Sequence, residues 1–393
     1  MKDSSFYKGR EQTYLKHFVL ENYLEKLSWK IGYTWGNLCY VDGFSGPWKA
    51  TTDDYGDTSI KISLGRLSKT RQDLLSLGKR ANFKCIFVEK EEKPFKELKN
   101  ILKESPGTGI EAVPLHGQFE DLIDEVLREC RNYFTLFFID PSGWTGYRLT
   151  HIGPIVCRPN SEFLINFMFT FINRMLTTAR TESDICYFDD FFCDSGAWRE
   201  VVVEGDGRED SILAHYIACL KKRGGYPYTT NTRILKPAED RTYFHLIHAT
   251  RHPEGLRTFK KIDEEMQYVQ RRVRKDALHE RKYRKTGQRT MFGSQYEDTE
   301  TIYIGHRLNA VAQLGALWKE MLAENERFLY EEFELNALQI EMIYTNDIAD
   351  LVLQAKKLGY IDVPNWKDRQ RKPRKNTIIE RKGSQIIVPP MEI

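Results

Sequence analysis

The sequence predicts an α/β protein built on a doubly wound, mainly parallel sheet of seven strands. Five short apolar runs alternate with amphipathic stretches along the first half of the chain, as expected for repeated strand–helix units. These runs are apolar throughout rather than at every second position, which is typical of strands covered by helices on both faces. Two further β-rich runs follow them and complete the seven strands.

An N-terminal helix is predicted over residues 11–27, because apolar side chains recur there at the helical period. The next elements are the strands NLCYVDGF, FKCIFVEK, IEAVPLHG, YFTLFFIDP and SEFLINFMF, with helices over 59–78, 91–104, 118–130, 147–157 and 171–182. A helix over 211–223 then leads to a hairpin, with an antiparallel last strand, in the runs YTTNTRIL and TYFHLIHATRHP. Residues 183–210 fit no unit of this pattern, and we interpret them as a lid or an insertion.

The composition changes near residue 270, where we place a boundary between a domain over 1–270 and a second domain over 271–393. Residues 271–290 hold nine Lys and Arg against two acidic residues and predict a basic linker helix. Further on, a helix ending at Gly359, a short strand, the basic turn 367–375 and a second strand form a winged-helix pattern. Both basic clusters are candidate nucleic-acid surfaces, since several cations together neutralise phosphates. A solvated helix face and a charged turn would also explain them.

Composition excludes several classes of protein. Hydrophobic residues make up 41% of the 393 residues, enough for a folded core. The net charge of +3 does not by itself indicate a polyanionic partner, so the distribution of charge decides. Neither a signal peptide nor a spanning segment is evident, and we expect a cytoplasmic protein. The seven Cys are scattered and are interpreted as small core residues. No CxxC motif is present and the nine His are dispersed along the chain, so we predict no metal.

Loops after the first three predicted strands suit an adenosine-containing ligand. Gly43 and Gly46 follow the first strand, where the absence of a Cβ lets the backbone approach a nucleotide closely. Glu89 ends the second strand, where a carboxylate can accept hydrogen bonds from both ribose hydroxyls. Gln118 and Phe119 follow the third strand and could hydrogen-bond to an adenine and stack on it. Each feature alone fits an ordinary loop, but three in succession favour a nucleotide.

The fourth strand ends in FFIDPSGW, which predicts a site for a nucleobase. The Asp140 carboxylate and the Pro141 carbonyl, held side by side by a rigid turn, can accept hydrogen bonds from an exocyclic amino group while Trp144 stacks on the ring. The arrangement suits methyl transfer to a base nitrogen, which needs positioning and charge complementarity more than a strong acid or base. The alternative is a plain turn with Trp144 in the core.

Polar residues near the ends of the fifth and seventh strands are further candidates. Asn173 and Arg174 could line a substrate pocket, and Arg174 could meet a phosphate. Arg251 and His252 follow the seventh strand, either at the same rim or in a solvated loop.

The chain resembles a known family at several of these motifs. The order VDGFSGPW, FVEKE, FFIDPSGW, FLINFMFTFINR, GAWRE and HATRHPEGLRTFK is similar to that of the three-Cys-motif partner proteins. This family is class I S-adenosylmethionine-dependent methyltransferase-like. The resemblance runs from YLKHFVLENYL to about residue 265 and extends into the winged-helix tail. It implies a Rossmann-like fold, S-adenosyl-L-methionine as cofactor, and a three-Cys-motif, radical-SAM-like protein as partner.

Carried over to this chain, the resemblance implies roles for particular residues. Glu89 becomes the ribose acceptor. Two departures concern Ser142, where the family usually has Phe, and Trp48, where it usually has Gly; the first removes a stacking surface and the second narrows the methionine end of the pocket. The cofactor loop becomes Asp42, Phe44, Ser45 and Gly46, and the catalytic turn becomes Asp140, Pro141, Ser142 and Trp144.

Three functions remain open from the sequence. The leading prediction is an S-adenosyl-L-methionine-dependent N-methyltransferase acting on a base in DNA or RNA. The second is a non-catalytic nucleotide-binding adaptor for the three-Cys-motif protein, consistent with the departures at Ser142 and Trp48. The third is an NAD-dependent dehydrogenase, because a glycine turn followed by Glu89 also suits NAD.

Overall fold

The computed structural model describes residues 9–46, 58–104, 109–178, 181–201, 205, 207–286, 296–383 and 386–391. Trp48 and residues 287–290 of the first basic cluster lie outside this part of the chain. Contacts divide the chain into two units, one of Met1–Thr229 with Arg233–Arg251 and one of Thr230–Thr232 with His252–Ile393. The predicted boundary near residue 270 falls inside an unbroken helix, Pro253–Thr286. The change of composition near residue 270 marks a more basic part of this helix. The division between the two units lies just before the helix begins.

The first unit is a mixed α/β structure with a seven-stranded sheet, as the sequence predicted. The sheet order is β3-β2-β1-β4-β5-β7-β6. Strands β1 to β5 pair in parallel, whereas β7 is antiparallel to β5. Parallel pairing brings the carboxyl ends of β1 to β4 to one edge of the sheet. The strands are β1 Asn37–Asp42, β2 Asn82–Glu89, β3 Glu111–His116, β4 Phe134–Ile139, β5 Ser161–Phe167, β6 Tyr228–Leu235 and β7 Thr242–Thr250.

Helices accompany these strands in the predicted order. The helix predicted over 147–157 is reduced to one turn, because Pro154 lacks an N–H and fits only the start of a helix. The N-terminal helix continues beyond its predicted end. The helices of the first unit are α1 Glu11–Thr34, α2 Ser59–Ser76, α3 Glu92–Lys103, α4 Ile123–Glu129, α5 Gly153–Val156, α6 Phe169–Thr178, α7 Glu182–Phe192, α8 Trp198–Val201 and α9 Arg208–Gly224.

A buried polar cluster joins α1 to the sheet. The Tyr23 hydroxyl donates to Glu162 Oε2 at 2.5 Å, and Thr250 Oγ1 donates to Oε1 at 2.6 Å. The Nε2 atom of His248 lies 2.8 Å from the Tyr23 hydroxyl. Burial alone would raise the pKa of Glu162, but the hydrogen bonds and the nearby His248 hold that pKa below its usual value. The cluster therefore fixes α1 on β5 and β7.

The segment interpreted as a lid or insertion contributes to the core. Helices α7 and α8 bury Phe188, Phe191, Phe192 and Trp198 among the helices on one face of the sheet.

The seven cysteines differ in their burial. Cys39, Cys85 and Cys130 are buried, as predicted, but Cys157 and Cys186 are exposed and Cys193 and Cys219 are half-buried.

The second unit combines four helices with a three-stranded antiparallel sheet of order β8-β10-β9 among its described residues. Part of the first basic cluster faces inward, because Arg274 is buried and the Arg271 guanidinium lies 4.3 Å from the Tyr303 ring centre. Among the described helices, none combines the length and apolar character needed to cross a membrane. The elements are α10 Pro253–Thr286, α11 Tyr296–Glu324, β8 Arg327–Leu329, α12 Tyr330–Ala337, α13 Thr345–Lys357, β9 Ile361–Asp362 and β10 Ile378–Arg381.

Candidate functional site

A cleft of about 140 Å³ opens at the carboxyl ends of β1, β2, β3 and β4. It lies where the strand order changes direction between β1 and β4, the usual place for a ligand in an open α/β sheet. Seven predicted site residues line it: Phe44, Glu89, Gln118, Phe119, Pro141, Ser142 and Trp144. The other six predicted site residues are not among the described residues that line the cleft: Asp42, Ser45, Gly46, Asp140, Asn173 and Arg174.

Asp42 and Ser45 brace the first loop from within. Asp42 Oδ1 accepts a hydrogen bond from the Phe44 N–H at 3.1 Å, and Oδ2 accepts one from the Ser59 hydroxyl at 2.7 Å. The Ser45 N–H donates to the Val88 carbonyl at 2.8 Å, which ties the loop to β2. Complete burial raises the pKa of Asp42 to about 6, against the opposing effect of these hydrogen bonds. These two residues therefore shape the loop while Phe44 lines the cleft.

Two phenylalanines and two glycines form one wall of the cleft. The rings of Phe44 and Phe119 are 5.8 Å apart between centres. A Cβ at Gly43 would lie 3.1 Å from the Phe119 ring, and a Cβ at Gly146 would lie 3.0 Å from the Phe44 ring. Phe119 is only 2% exposed, so most of the ring predicted to stack on adenine is already packed against protein. The glycines are required for this close packing, and Gly146 also has a φ of +93°.

Glu89 places a carboxylate in the cleft wall at the end of β2. Its Oε1 accepts a hydrogen bond from the Glu91 N–H at 2.7 Å, which fixes the side chain. Burial raises the pKa of Glu89, and the backbone N–H groups of Glu91 and Lys90 partly oppose that rise. Gln118, which precedes the 3-10 turn Phe119–Leu122, lines the same cleft. The cleft thus offers a fixed acceptor and an amide beside apolar walls.

Asp140 follows β4 and is held by two residues from other elements. Lys16 Nζ of α1 donates to Asp140 Oδ2 at 2.5 Å, and Asn166 Nδ2 of β5 donates to Oδ1 at 2.7 Å. Asn166 is 3% exposed, and its Oδ1 has no hydrogen-bond partner among the described residues. A buried acceptor without a donor is costly and calls for an explanation.

Lys16 and Asn166 were not predicted as site residues. Asn166 could have been found as a polar side chain near the carboxyl end of an apolar strand. Lys16 gives no local signal, since 124 residues separate it from Asp140.

The turn after β4 presents Pro141, Ser142 and Trp144 to the cleft. Behind Trp144 lie two aromatic rings of α7: Phe188 is stacked at 5.3 Å, and Tyr187 meets it edge-on at 4.4 Å. Ser142 is exposed. Helix α7 therefore supports the indole of the predicted catalytic turn.

Two of the remaining site residues, and the further candidate Arg251, have structural partners elsewhere. Asn173 and Arg174 lie within α6, as the predicted helix over 171–182 implies. Asn173 Oδ1 accepts a hydrogen bond from Arg208 Nε at 2.6 Å, and the Arg174 guanidinium lies 5.4 Å from the Phe171 ring centre. The sequence left Arg251 either at the rim or in a solvated loop, but the antiparallel direction of β7 takes it to the opposite edge of the sheet, where it donates to the carbonyls of residues 156, 158 and 224.

No family model and no curated protein matches the chain. Among solved structures, the chain is similar to the crystal structure of protein LPL1258 from Legionella pneumophila, described under the family model DUF519. The two share 10% sequence identity with a TM-score of 0.37, over 64% of this chain and 91% of the other. A likeness of this degree carries no information about function.

Proposed function

We propose that the chain is an S-adenosyl-L-methionine-dependent methyltransferase that modifies an amino nitrogen of a base in DNA or RNA. The observation that carries this proposal is the cleft formed by the ends of four adjacent parallel strands, with the Glu89 carboxylate in its wall. We interpret the sheet as Rossmann-like, of the class I methyltransferase type. The order β3-β2-β1-β4-β5 supports this interpretation, since it matches nucleotide-binding sheets.

The residues of the cleft fit the adenosine part of the cofactor. Glu89 would accept hydrogen bonds from the ribose hydroxyls, as a buried and fixed carboxylate at the end of the second strand can. Gln118 would meet the adenine edge, and Phe44 and Phe119 supply the apolar wall. Side chains at Gly43 and Gly146 would crowd that wall. When bound, the cofactor supplies the methyl group of its sulfonium, and the sulfur leaves as a neutral thioether.

The Asp140 group fits the amino group of a base. An exocyclic amine presents N–H donors, and the turn supplies the Asp140 carboxylate and the Pro141 carbonyl as acceptors. Asn166 Oδ1 is a third acceptor beside Asp140, buried and without a donor among the described residues. Lys16 and Asn166 hold the Asp140 carboxylate in place, so that it can orient the amine and take its proton as the new N–C bond forms. Trp144 would stack on the base.

The second unit supplies charge for the polymer. We interpret α13, β9 and β10 with their connection as winged-helix-like. That connection exposes Lys367, Arg369, Arg371 and Arg374. Exposed cations on one turn suit the phosphates of a nucleic acid.

Binding and methyl transfer test the proposal separately. Calorimetry should show S-adenosyl-L-methionine binding to the wild-type chain, weakened about tenfold in Glu89→Gln, the effect of losing one charge-assisted hydrogen bond. Tritiated methyl groups should enter total DNA or total RNA with the wild type and not with Asp140→Ala. Asp121→Asn, which removes an exposed carboxylate, is the matched control and should keep both activities.

Two outcomes would count against parts of this proposal. Absence of cofactor binding to the wild-type chain would refute it altogether. Cofactor binding without transfer to either nucleic acid, even with a three-Cys-motif protein added, would favour the adaptor function instead.

A further inference from the structure

A second group of polar side chains meets between the end of α7 and the middle of α9. Asp194, His215 and Cys219 each offer one possible ligand atom, and these atoms all lie within 4.8 Å of one another. His215 and Cys219 are four residues apart on α9 and therefore share a face of that helix. Asp194 comes from the turn that follows α7. No zinc-motif spacing is evident in the sequence here, because the third group comes from a separate element.

The turn after α7 aims the Asp194 carboxylate at α9. Asp194 Oδ1 accepts a hydrogen bond from the Gly196 N–H at 3.1 Å, which leaves Oδ2 facing His215 Nε2 at 2.5 Å. Cys193 and Ser195 on either side have φ values of 56° and 53°, a backbone conformation that costs energy for residues other than glycine. An outer hydrogen bond that orients a ligand oxygen is a regular feature of metal sites.

The separations suit a small tetrahedral ion. Cys219 Sγ lies 3.7 Å from His215 Nε2. A zinc ion with Zn–N of about 2.0 Å and Zn–S of about 2.3 Å holds these two atoms about 3.5 Å apart. The Asp194 oxygen would have to move away from His215 by less than about 1 Å to take its own position. The side chains of Asp194 and His215 are each 10% exposed, so the group is sheltered but reachable from solvent.

We infer that Asp194, His215 and Cys219 form a binding site for a divalent cation of the zinc class. A thiolate with an imidazole favours zinc over magnesium or calcium, which prefer oxygen ligands. Three protein ligands leave the fourth position to water. Binding releases the thiol proton of Cys219 to solvent, and the neutral imidazole of His215 keeps its remaining proton on Nδ1.

An ion at this site would act on the cleft through α7. It would join the end of α7 to α9, and α7 carries the two rings that back Trp144. The cation would thus hold the aromatic support of the cleft in place. This inference does not rest on the proposed methyltransferase function.

Cobalt(II) is the probe, because its absorption reports both thiolate ligation and tetrahedral geometry. The full-length chain, reduced and treated with a chelator, should develop a thiolate-to-cobalt band and visible d–d bands that saturate at one equivalent. Zinc should then displace the cobalt. Cys219→Ser should abolish the thiolate band, whereas Cys186→Ser, which removes an exposed cysteine of α7, should keep it.

A thermal melt with His215→Gln provides a second measurement should Cys219→Ser fail to fold. Zinc should raise the Tm of the wild type and of Cys186→Ser, and leave that of His215→Gln unchanged. A wild-type chain without a thiolate band, a band that survives Cys219→Ser, or an equal zinc-induced rise in His215→Gln would each overturn the inference.

Discussion

Replacing Asp42 with Asn should change how the stability of the protein depends on pH. The Asp42 carboxyl is fully buried at the end of β1, and its pKa is raised from 3.8 to about 6. A carboxyl whose pKa is higher in the folded state binds more protons there than in the unfolded chain. Its contribution to stability is therefore greatest below pH 3.8 and is lost as the pH rises through about 6.

The size of the effect follows from the shift. Each pKa unit corresponds to about 1.36 kcal/mol, so the shift is worth about 3 kcal/mol in total, of which about 2.5 kcal/mol is lost between pH 4 and pH 7. Asn keeps the shape of the side chain, and its Oδ1 can still accept from the Phe44 N–H. The Ser59 hydroxyl can turn to accept from the new amide. Asp42→Asn therefore removes the titration and preserves the brace.

Urea unfolding at several pH values measures the effect. The free energy of unfolding of Asp42→Asn, minus that of the wild type, should rise by about 2.5 kcal/mol from pH 4 to pH 7, because other groups cancel in the difference. Asp121→Asn controls for the substitution itself at an exposed position. Parallel stability profiles for the wild type and Asp42→Asn would show that the Asp42 carboxyl does not have a raised pKa in the folded protein.

Three further substitutions probe the core, the cleft wall and the base-binding group. Tyr23→Phe removes a donor to a buried carboxylate and should lower the free energy of unfolding by about 1.5–3 kcal/mol in urea, whereas Tyr33→Phe, exposed on the same helix, should change nothing. Gly146→Ala should lower the free energy of unfolding by about 1–3 kcal/mol and weaken cofactor binding in calorimetry, because φ is +93° there. Gly65→Ala, inside α2 with open space around it, should not destabilise the protein. Asn166→Leu should slow methyl transfer with cofactor affinity unchanged, and an unaltered rate would remove Asn166 from the site.

The residues that line the cleft were predictable because each sits at the end of an apolar run. Parallel strands bring such ends together without any knowledge of side-chain contacts, and Glu89 and Trp144 were placed in this way. Asn173 and Arg174 fall in the helix predicted over 171–182, but the partner of Asn173 was not predictable, because Arg208 belongs to a separate helix. Helix α6 begins two residues earlier than predicted, and only Met168 separates it from β5.

Contacts between separate elements could not be predicted from the sequence, for a different reason. Lys16 of α1 meets Asp140 after β4, and Asp194 after α7 meets His215 of α9, only because separate elements pack side by side. A charge on an amphipathic helix shows nothing of the partner it will meet. The sequence also predicted Asp42 in the cofactor loop, where the structure places it as the internal brace of that loop.

The pairing of the first helix with later strands has a consequence for how the site is assembled. Helix α1 is made first during synthesis, yet its Tyr23 waits for a partner 139 residues later and its Lys16 for one 124 residues later. Contacts this distant form late, since the intervening chain must first close a long loop. A nascent chain could thus arrange the loops after β1 to β3 before Asp140 is anchored. Removing α1 would take away its packing on α2 and β1, and with it the Lys16 anchor of the carboxylate that is proposed to hold the substrate.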